Sequence, residues 1–360
     1  EPYFYVQPSG DAEVLRRKLV GLKVPSKTDV AQVVRVEEVE KNFLGKRVRV
    51  LKVFTQLPFD VPVIREIVRT YPDVRECYEY DILFTRRYLI DKQVVPLTAT
   101  VAEGEIIGEK MGVLTFDAIS VMPSFGDVIK NLRVLAFDIE TYNPEGKTMR
   151  AEKYPVIMIA AYGMADGKEF KRVITWRRFV SDADFIDFVE TEKEAIERFV
   201  ALVREFAPDI ITGYFSDGFD FPYLEERAAF NKISLDIGLD GSAIRVNKKA
   251  DAVEVTGISH IDIFKFVRRI LGRSMETDVF TLDAVAFELI GERKHDVNLD
   301  RLAGAWDSQS AELDTYAAYN LQDARVTYLL CMKVMPNMEE LVKIIGLPFA
   351  AVTRFSFSRL

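Results

Sequence analysis

The stretch that begins at Leu132 constrains the fold most. Residues 134–139, 156–162 and 170–176 are three apolar runs separated by turns containing glycine and aspartate, and they read as an antiparallel meander. Thr191-Glu192-Lys193-Glu194 then forms a capping box. It opens a helix whose Ile196, Phe199, Val200 and Val203 recur at the spacing of a core stripe. Pro208 ends that helix, and residues 209–214 make a fourth strand. Further on, residues 244–246 and 252–255 flank 247–251 as a β-hairpin, and residues 310–335 predict a long helix.

Three acidic motifs lie on this frame. Phe137-Asp138-Ile139-Glu140-Thr141 sits on the first strand, Phe219-Asp220-Phe221 follows the fourth, and Tyr319-Asn320-Leu321-Gln322-Asp323 lies on the long helix. Asp138 and Glu140 are two apart on a strand and share a face, while Tyr319 and Asp323 are four apart on a helix and share another. Gathering carboxylates is costly unless a cation neutralises them. Oxygen ligands without histidine or cysteine favour Mg²⁺ or Mn²⁺ over zinc. Two such ions about 4 Å apart suit phosphodiester cleavage, with Tyr319 placed to orient the attacking water. A single D-x-E on a strand is more often a solvated edge or an ion pair; three motifs in this order are specific. Three strands, a helix and another strand give the order of a ribonuclease-H-like core, so the fold class expected is α/β (α+β).

Residues 1–130 read as a separate mixed α/β module, with strands at 33–39, 48–54 and 113–119 and a short helix at 61–71. A break at 123–127 leads into the second domain, expected over 131–335, with 336–360 as a connection beyond it. The first 130 residues are charge-balanced, so the rest carries the whole net charge of −8. An acidic body is a poor trap for DNA, and a nucleic-acid substrate must be held locally, through metals, or by a basic partner domain. The only histidines, His260 and His295, argue against imidazole catalysis or a zinc centre. Cys77 and Cys331 lie far apart and read as two reduced thiols of a cytoplasmic protein. No run of 18 apolar residues marks a membrane span. The opening Glu1-Pro2-Tyr3 lacks a methionine, so an N-terminal segment is expected to be missing.

The three motifs resemble those of the archaeal family-B DNA polymerases, specifically the N-terminal domain and the 3′→5′ proofreading exonuclease domain. Asp217-Gly218-Phe219-Asp220-Phe221-Pro222-Tyr223-Leu224 is similar to the second exonuclease motif, and Val173-Ile174-Thr175-Trp176, Thr281-Leu282-Asp283-Ala284-Val285 and Arg87-Tyr88-Leu89-Ile90-Asp91-Lys92 agree as flanking text. The resemblance implies two divalent ions on Asp138, Glu140, Asp220 and Asp323, with Tyr319 completing the site. It implies single-stranded and primer–template DNA as partners, and a hairpin at 244–255 that helps direct the primer strand. The palm motifs do not occur, and the chain stops at 355–360, about where the family enters its palm. This implies a fragment or split-polymerase subunit that does not synthesise DNA alone. Its partners would be the palm, fingers and thumb, and a sliding clamp reached through absent regions.

One departure stands out. The family usually reads Tyr-Asn in the second motif, the asparagine contacting the primer end, whereas here Phe215 follows Tyr214 and Gly218 replaces a second common asparagine. Phe215 and Phe219 are the expected substrate-contacting residues. A phenylalanine stacks on a base but supplies no amide hydrogen bond, so the alternative is an exonuclease-impaired DNA-binding module. A free-standing exonuclease is disfavoured by residues 1–130. The resemblance also implies a template-uracil pocket in the N-terminal module at Pro2, Tyr3, Pro58, Val61, Ile82, Phe84 and Arg87. A pre-formed apolar slot of this kind excludes thymine because its methyl group clashes.

Overall fold

The computed structural model describes residues 1–25, 30–110, 113–124, 126, 131–165, 167–293 and 297–354, with the side chain of Lys110 left aside. The expected break at 123–127 lies partly outside these residues, and His295 and the closing segment 355–360 lie wholly outside. The chain divides into two compact units, Glu1–Val94 and Val95–Leu360.

The first unit contains β1 (Tyr3–Pro8), α1 (Ala12–Leu19), β2 (Lys23–Pro25), β3 (Val30–Phe43), β4 (Lys46–Thr55), α2 (Asp60–Val68), β5 (Val74–Tyr78) and α3 (Phe84–Lys92). The strands form one antiparallel sheet in the order β2-β3-β4-β1-β5. Alternation along β1 sorts its side chains between two faces. Phe4 and Val6 join Leu15 and Leu19 of α1 and Ile64 and Val68 of α2 in one core. Tyr3 and Tyr5 join Val50 and Phe54 of β4 on the other face.

The second unit opens with a two-stranded ribbon, β6 (Thr100–Lys110) and β7 (Val113–Pro123). It continues with β8 (Val134–Thr141), β9 (Val156–Ala165), β10 (Lys168–Thr175), β11 (Ile186–Phe188), α4 (Glu192–Phe206), β12 (Ile210–Gly213), α5 (Asp220–Phe230), the hairpin β13 (Arg245–Asn247) and β14 (Ala252–Glu254), and β15 (Ser259–Asp262). A helical set follows: α6 (Ile263–Phe266), which runs into a π-turn at Val267–Leu271, then α7 (Leu282–Ile290), α8 (Leu302–Ser308), α9 (Leu313–Ile345) and α10 (Phe349–Val352).

The main sheet has the order β11-β10-β9-β8-β12-β15. β9 runs antiparallel to its neighbours β8 and β10, while β12 and β15 run parallel to β8. That is the meander, crossover helix and parallel return of a ribonuclease-H-like sheet. α4 forms where the capping box predicts it: Glu194 N–H donates to Thr191 Oγ1 at 3.2 Å, a cap contributing about 1 kcal/mol.

The sheet is buried on both faces. Phe137 of β8 meets Phe221 of α5 at 4.6 Å and Phe199 of α4 at 5.4 Å between ring centres. On the opposite face, Met158, Ala160 and Tyr162 of β9 pack with Trp306 of α8 and Tyr316, Ala317 and Ala324 of α9. Side chains at 137 and 139 therefore serve one core, leaving 138 and 140 to face α9. Helix α9 does not stop near 335 as expected but continues through Pro336 to Ile345. Proline removes one donor from the helix ladder, yet Met335, Met338 and Val342 extend the buried stripe past it. Burial of that stripe holds the helix together.

Candidate functional site

Strand β8 presents Asp138 and Glu140, both half-buried, on the face that receives α9. Asn320 Nδ2 of α9 donates to Asp138 Oδ2 at 2.8 Å, fixing the third motif against the first. Asp220 enters from α5. The turn 214–219 delivers it, buried, to the first helical position, at the end of α5 that faces β8. Burial, and then the charges of Asp262 and Asp323, push the Asp220 carboxyl up to about 7, whereas backbone hydrogen bonds pull it down. Burial, then the charge of Glu312 and more weakly that of Glu140, raise the Tyr316 hydroxyl of α9, which donates to Asn298 O at 2.9 Å.

The structure thus brings Asp138, Glu140, Asp220 and Asp323 to one junction of β8, α5 and α9. Among the described residues, however, no three His, Cys, Asp or Glu side chains are gathered closely enough to hold a metal ion as they stand. The donor chemistry still fits a hard divalent cation. All four groups are carboxylates, and the raised Asp220 records burial first and the neighbouring Asp262 and Asp323 charges after it, an environment that disfavours its anion without a cation. Tyr319 is half-buried and lines a cavity of about 450 Å³ with Tyr162, Glu169, Lys171, Gln322 and Arg325.

The second motif is held by a network that the sequence did not announce. Asp262, at the end of β15, accepts from the backbone N–H of Phe215 at 3.0 Å and of Asp217 at 3.1 Å. Ser216 Oγ lies 2.8 Å from His260 Nε2. His260 is therefore a buried structural group beside the turn. Asp217 was visible within the quoted motif, but nothing in the text pointed to its partners in β14, α6 and the segment after α10.

Phe215 occupies the left-handed region at φ 68°, which costs a bulky residue about 1–2 kcal/mol. Its ring is 43% exposed and leans edge-on against Phe264 at 5.1 Å. It also lies over Gly218, where a Cβ would come within 2.4 Å of the ring. The two departures from the family pattern are therefore one feature: the glycine makes room for the phenylalanine. Phe219 packs on Tyr223 at 5.4 Å and against the α4–α5 core.

In the first unit, Pro2, Tyr3, Pro58, Val61, Ile82, Phe84 and Arg87 all line one cavity, together with Tyr80. Its volume is about 40 Å³, close to the share of a single water molecule, about 30 Å³. The expected slot is thus not pre-formed at the size of a base, and one wall is charged. Arg87 is buried, pairs with Glu79 at 2.6 Å and donates to Tyr3 Oη at 3.2 Å. Tyr3 in turn donates to Asp91 at 2.5 Å.

A ribonuclease-H-like sheet with carboxylates at the junction of its first strand, the helix after its fourth and a long covering helix defines a nuclease-type α/β domain. Residues 75–285 match the DNA polymerase family B exonuclease domain, and the chain belongs to that family. It is 36% identical over its whole length to a DNA polymerase of Thermococcus sp. (strain 9oN-7) and 34% identical to one of Pyrococcus glycovorans, spanning 41% of each. Its fold is similar to the family B DNA polymerase of the hyperthermophilic archaeon Pyrobaculum calidifontis, with a TM-score of 0.80 and 31% identity, covering 99% of this chain and 43% of that one. No helix among the described residues is long and apolar enough to cross a membrane.

The Phe215–Gly218 contact makes a quantitative prediction. Gly218→Asn alone must displace the ring and should destabilise the protein by about 1–2 kcal/mol. In a Phe215→Asn background the same change should cost little, because asparagine tolerates the left-handed backbone and leaves the space open. Urea denaturation of the four members of the cycle should give a coupling of about 1 kcal/mol; additive effects would mean that the ring does not occupy that space.

Proposed function

We propose that this chain is the 3′→5′ exonuclease and N-terminal part of a DNA-directed DNA polymerase, and that it removes nucleotides from the 3′ end of single-stranded or frayed primer–template DNA. The observation that carries this reading is the Asn320–Asp138 hydrogen bond, which seats the third motif on the first, with the buried Asp220 at the start of α5 near enough to feel the charge of Asp323. Those four carboxylates would hold two Mg²⁺ or Mn²⁺ ions. When bound, the ions supply Lewis acidity for the attacking water and for the departing 3′ oxygen.

The remaining roles fall to the chain's own residues. Asn320 restrains Asp138 through one carboxylate oxygen, which fixes the orientation of the group on β8. Tyr319, one helical turn before Asp323 on α9, would orient the water from the face the two residues share. Phe215, exposed at the rim of the second motif, offers a face on which a terminal base can stack, in place of an amide hydrogen bond. Partners in this reading are DNA, the palm, fingers and thumb, and a sliding clamp reached through those other domains. The compartment is the cytoplasm.

Asp138→Ala combined with Glu140→Ala should abolish shortening of a 5′-labelled oligonucleotide, lowering the rate by more than about 100-fold, with the circular-dichroism spectrum unchanged. Digestion by the double variant at the original rate would place the chemistry elsewhere. Absence of digestion by the unaltered protein, with DNA binding retained, would favour the exonuclease-impaired binding module.

The N-terminal cavity supports template-uracil recognition, since all seven expected residues converge on it. Its small volume adds a condition: the half-exposed Ile82 and the exposed Phe84 must shift to admit a base. A sieve that rejects one methyl group is worth about 1–3 kcal/mol. Fluorescence anisotropy at fixed salt should therefore show tighter binding of uracil-containing than thymine-containing single strands, by about 10-fold or more. Val61→Gln should erase the difference by filling the cavity. Equal affinities for both strands in the unaltered protein would refute the assignment.

A further inference from the structure

The strongest unexplained feature is the buried ionic cluster behind the second motif. The Asp217 side chain is wholly shielded from solvent and accepts from Val253 N–H at 2.6 Å, from Lys265 Nζ at 3.1 Å, and from Arg354 Nε and Nη2 at 2.9 and 3.0 Å. The arginine contact is bidentate, a geometry that fixes orientation as well as charge and that a lysine cannot reproduce. Arg354 Nη2 also donates to Val253 O at 2.8 Å, so one guanidinium ties the turn of the second motif to hairpin strand β14.

Arg354 arrives from far along the chain. Helix α9 closes at Gly346, whose φ of 72° suits the left-handed cap that reverses the chain. Leu347, Phe349 and Val352 then anchor the following residues in the core. That anchoring returns Arg354 to a motif 137 residues earlier in sequence. Nothing in the proposed chemistry uses Asp217 or Arg354, yet Asp217 stands three residues before Asp220.

We propose that Arg354 is a positioning residue for the nuclease site: by gripping Asp217 it fixes the turn that delivers Asp220, and so couples the segment after α9 to the second motif. This rests on the nuclease reading above. Removing the arginine leaves a desolvated carboxylate with Lys265 at 3.1 Å and the His260 ring at 3.3 Å as its close side-chain partners, and breaking a buried pair on one side is costly. The turn then keeps its backbone bonds to Asp262 and the Ser216–His260 contact but loses its bidentate tie to the segment after α9. Displacement of residues 346–354 would reach the site by the same route.

The test compares the unaltered chain with Arg354→Ala and Arg354→Lys by three readouts: amide hydrogen exchange, Mn²⁺ binding by calorimetry, and kcat and KM on a single-stranded oligonucleotide. Arg354→Ala should speed exchange at the amides of Phe215, Asp217 and Val253 by about tenfold or more, leaving the first unit unchanged. It should weaken Mn²⁺ binding and lower kcat more than it raises KM. Arg354→Lys should restore charge without the fork and recover only part of each loss. Unchanged exchange at those amides overturns the proposal. Faster exchange with wild-type Mn²⁺ affinity and kcat also overturns it, by reducing Arg354 to a structural pin. If the unaltered chain neither binds Mn²⁺ nor cuts DNA, the nuclease reading fails, and the exchange data alone decide whether Arg354 fixes the turn.

Discussion

Negative charge buried where β8, α5 and α9 meet is the constraint to which the rest of the second unit responds. Asp220 is nearly inaccessible to water and feels the charges of Asp262 and Asp323, so its ionised form is disfavoured. A fold that keeps such a group in place must secure the surrounding backbone by other means. It does so at both ends of α5. At one end Asp262 and the Asp217 cluster hold the incoming turn. At the other, Arg227 pairs with Glu192, Nε to Oε1 at 2.7 Å and Nη2 to Oε2 at 2.5 Å, and donates to Ala151 O at 2.9 Å. Glu192 also accepts from Val156 N–H at 2.8 Å, which links the start of α4 to the start of β9.

The contrast between Asp217 and Asp220 shows how environment divides the work of two nearby carboxylates. Burial raises both, but around Asp217 the hydrogen bonds and charges of His260 and Arg354 outweigh it and hold the carboxyl well below the usual range. Asp217 is thus a fixed anion whose charge is spent on structure. Among the described residues no salt bridge pairs Asp220 with a cation, and burial raises it instead. The same economy explains the turn itself, where Gly218 gives up a side chain so that Phe215 can lie over it.

Most of the architecture was legible in the sequence because it rests on periodicity. The apolar runs of β8, β9 and β10, the Thr191 cap and the stripe of α4 are local signals, and the structure places each where they point. The carboxylates were legible because their spacing on a strand and on a helix fixes the face they share. The parts that escaped are those decided at long range. Helix α9 outruns Pro336 because distant apolar partners bury Met338 and Val342. The Asp217–Arg354 contact joins residues that no local pattern relates. The residues named for the N-terminal slot line one cavity of about 40 Å³, a volume that depends on how Ile82, Phe84 and Arg87 settle, which residue type does not encode.

The central claim is that Asp138, Glu140, Asp220 and Asp323 together bind divalent cations at the 3′ end of DNA. Anomalous diffraction from crystals grown with Mn²⁺ and a short single-stranded oligonucleotide tests it most directly. The account predicts two anomalous peaks about 4 Å apart, bounded by those four carboxylates and adjacent to the terminal phosphodiester. Manganese bound elsewhere, or none at this junction under saturating Mn²⁺, would contradict it.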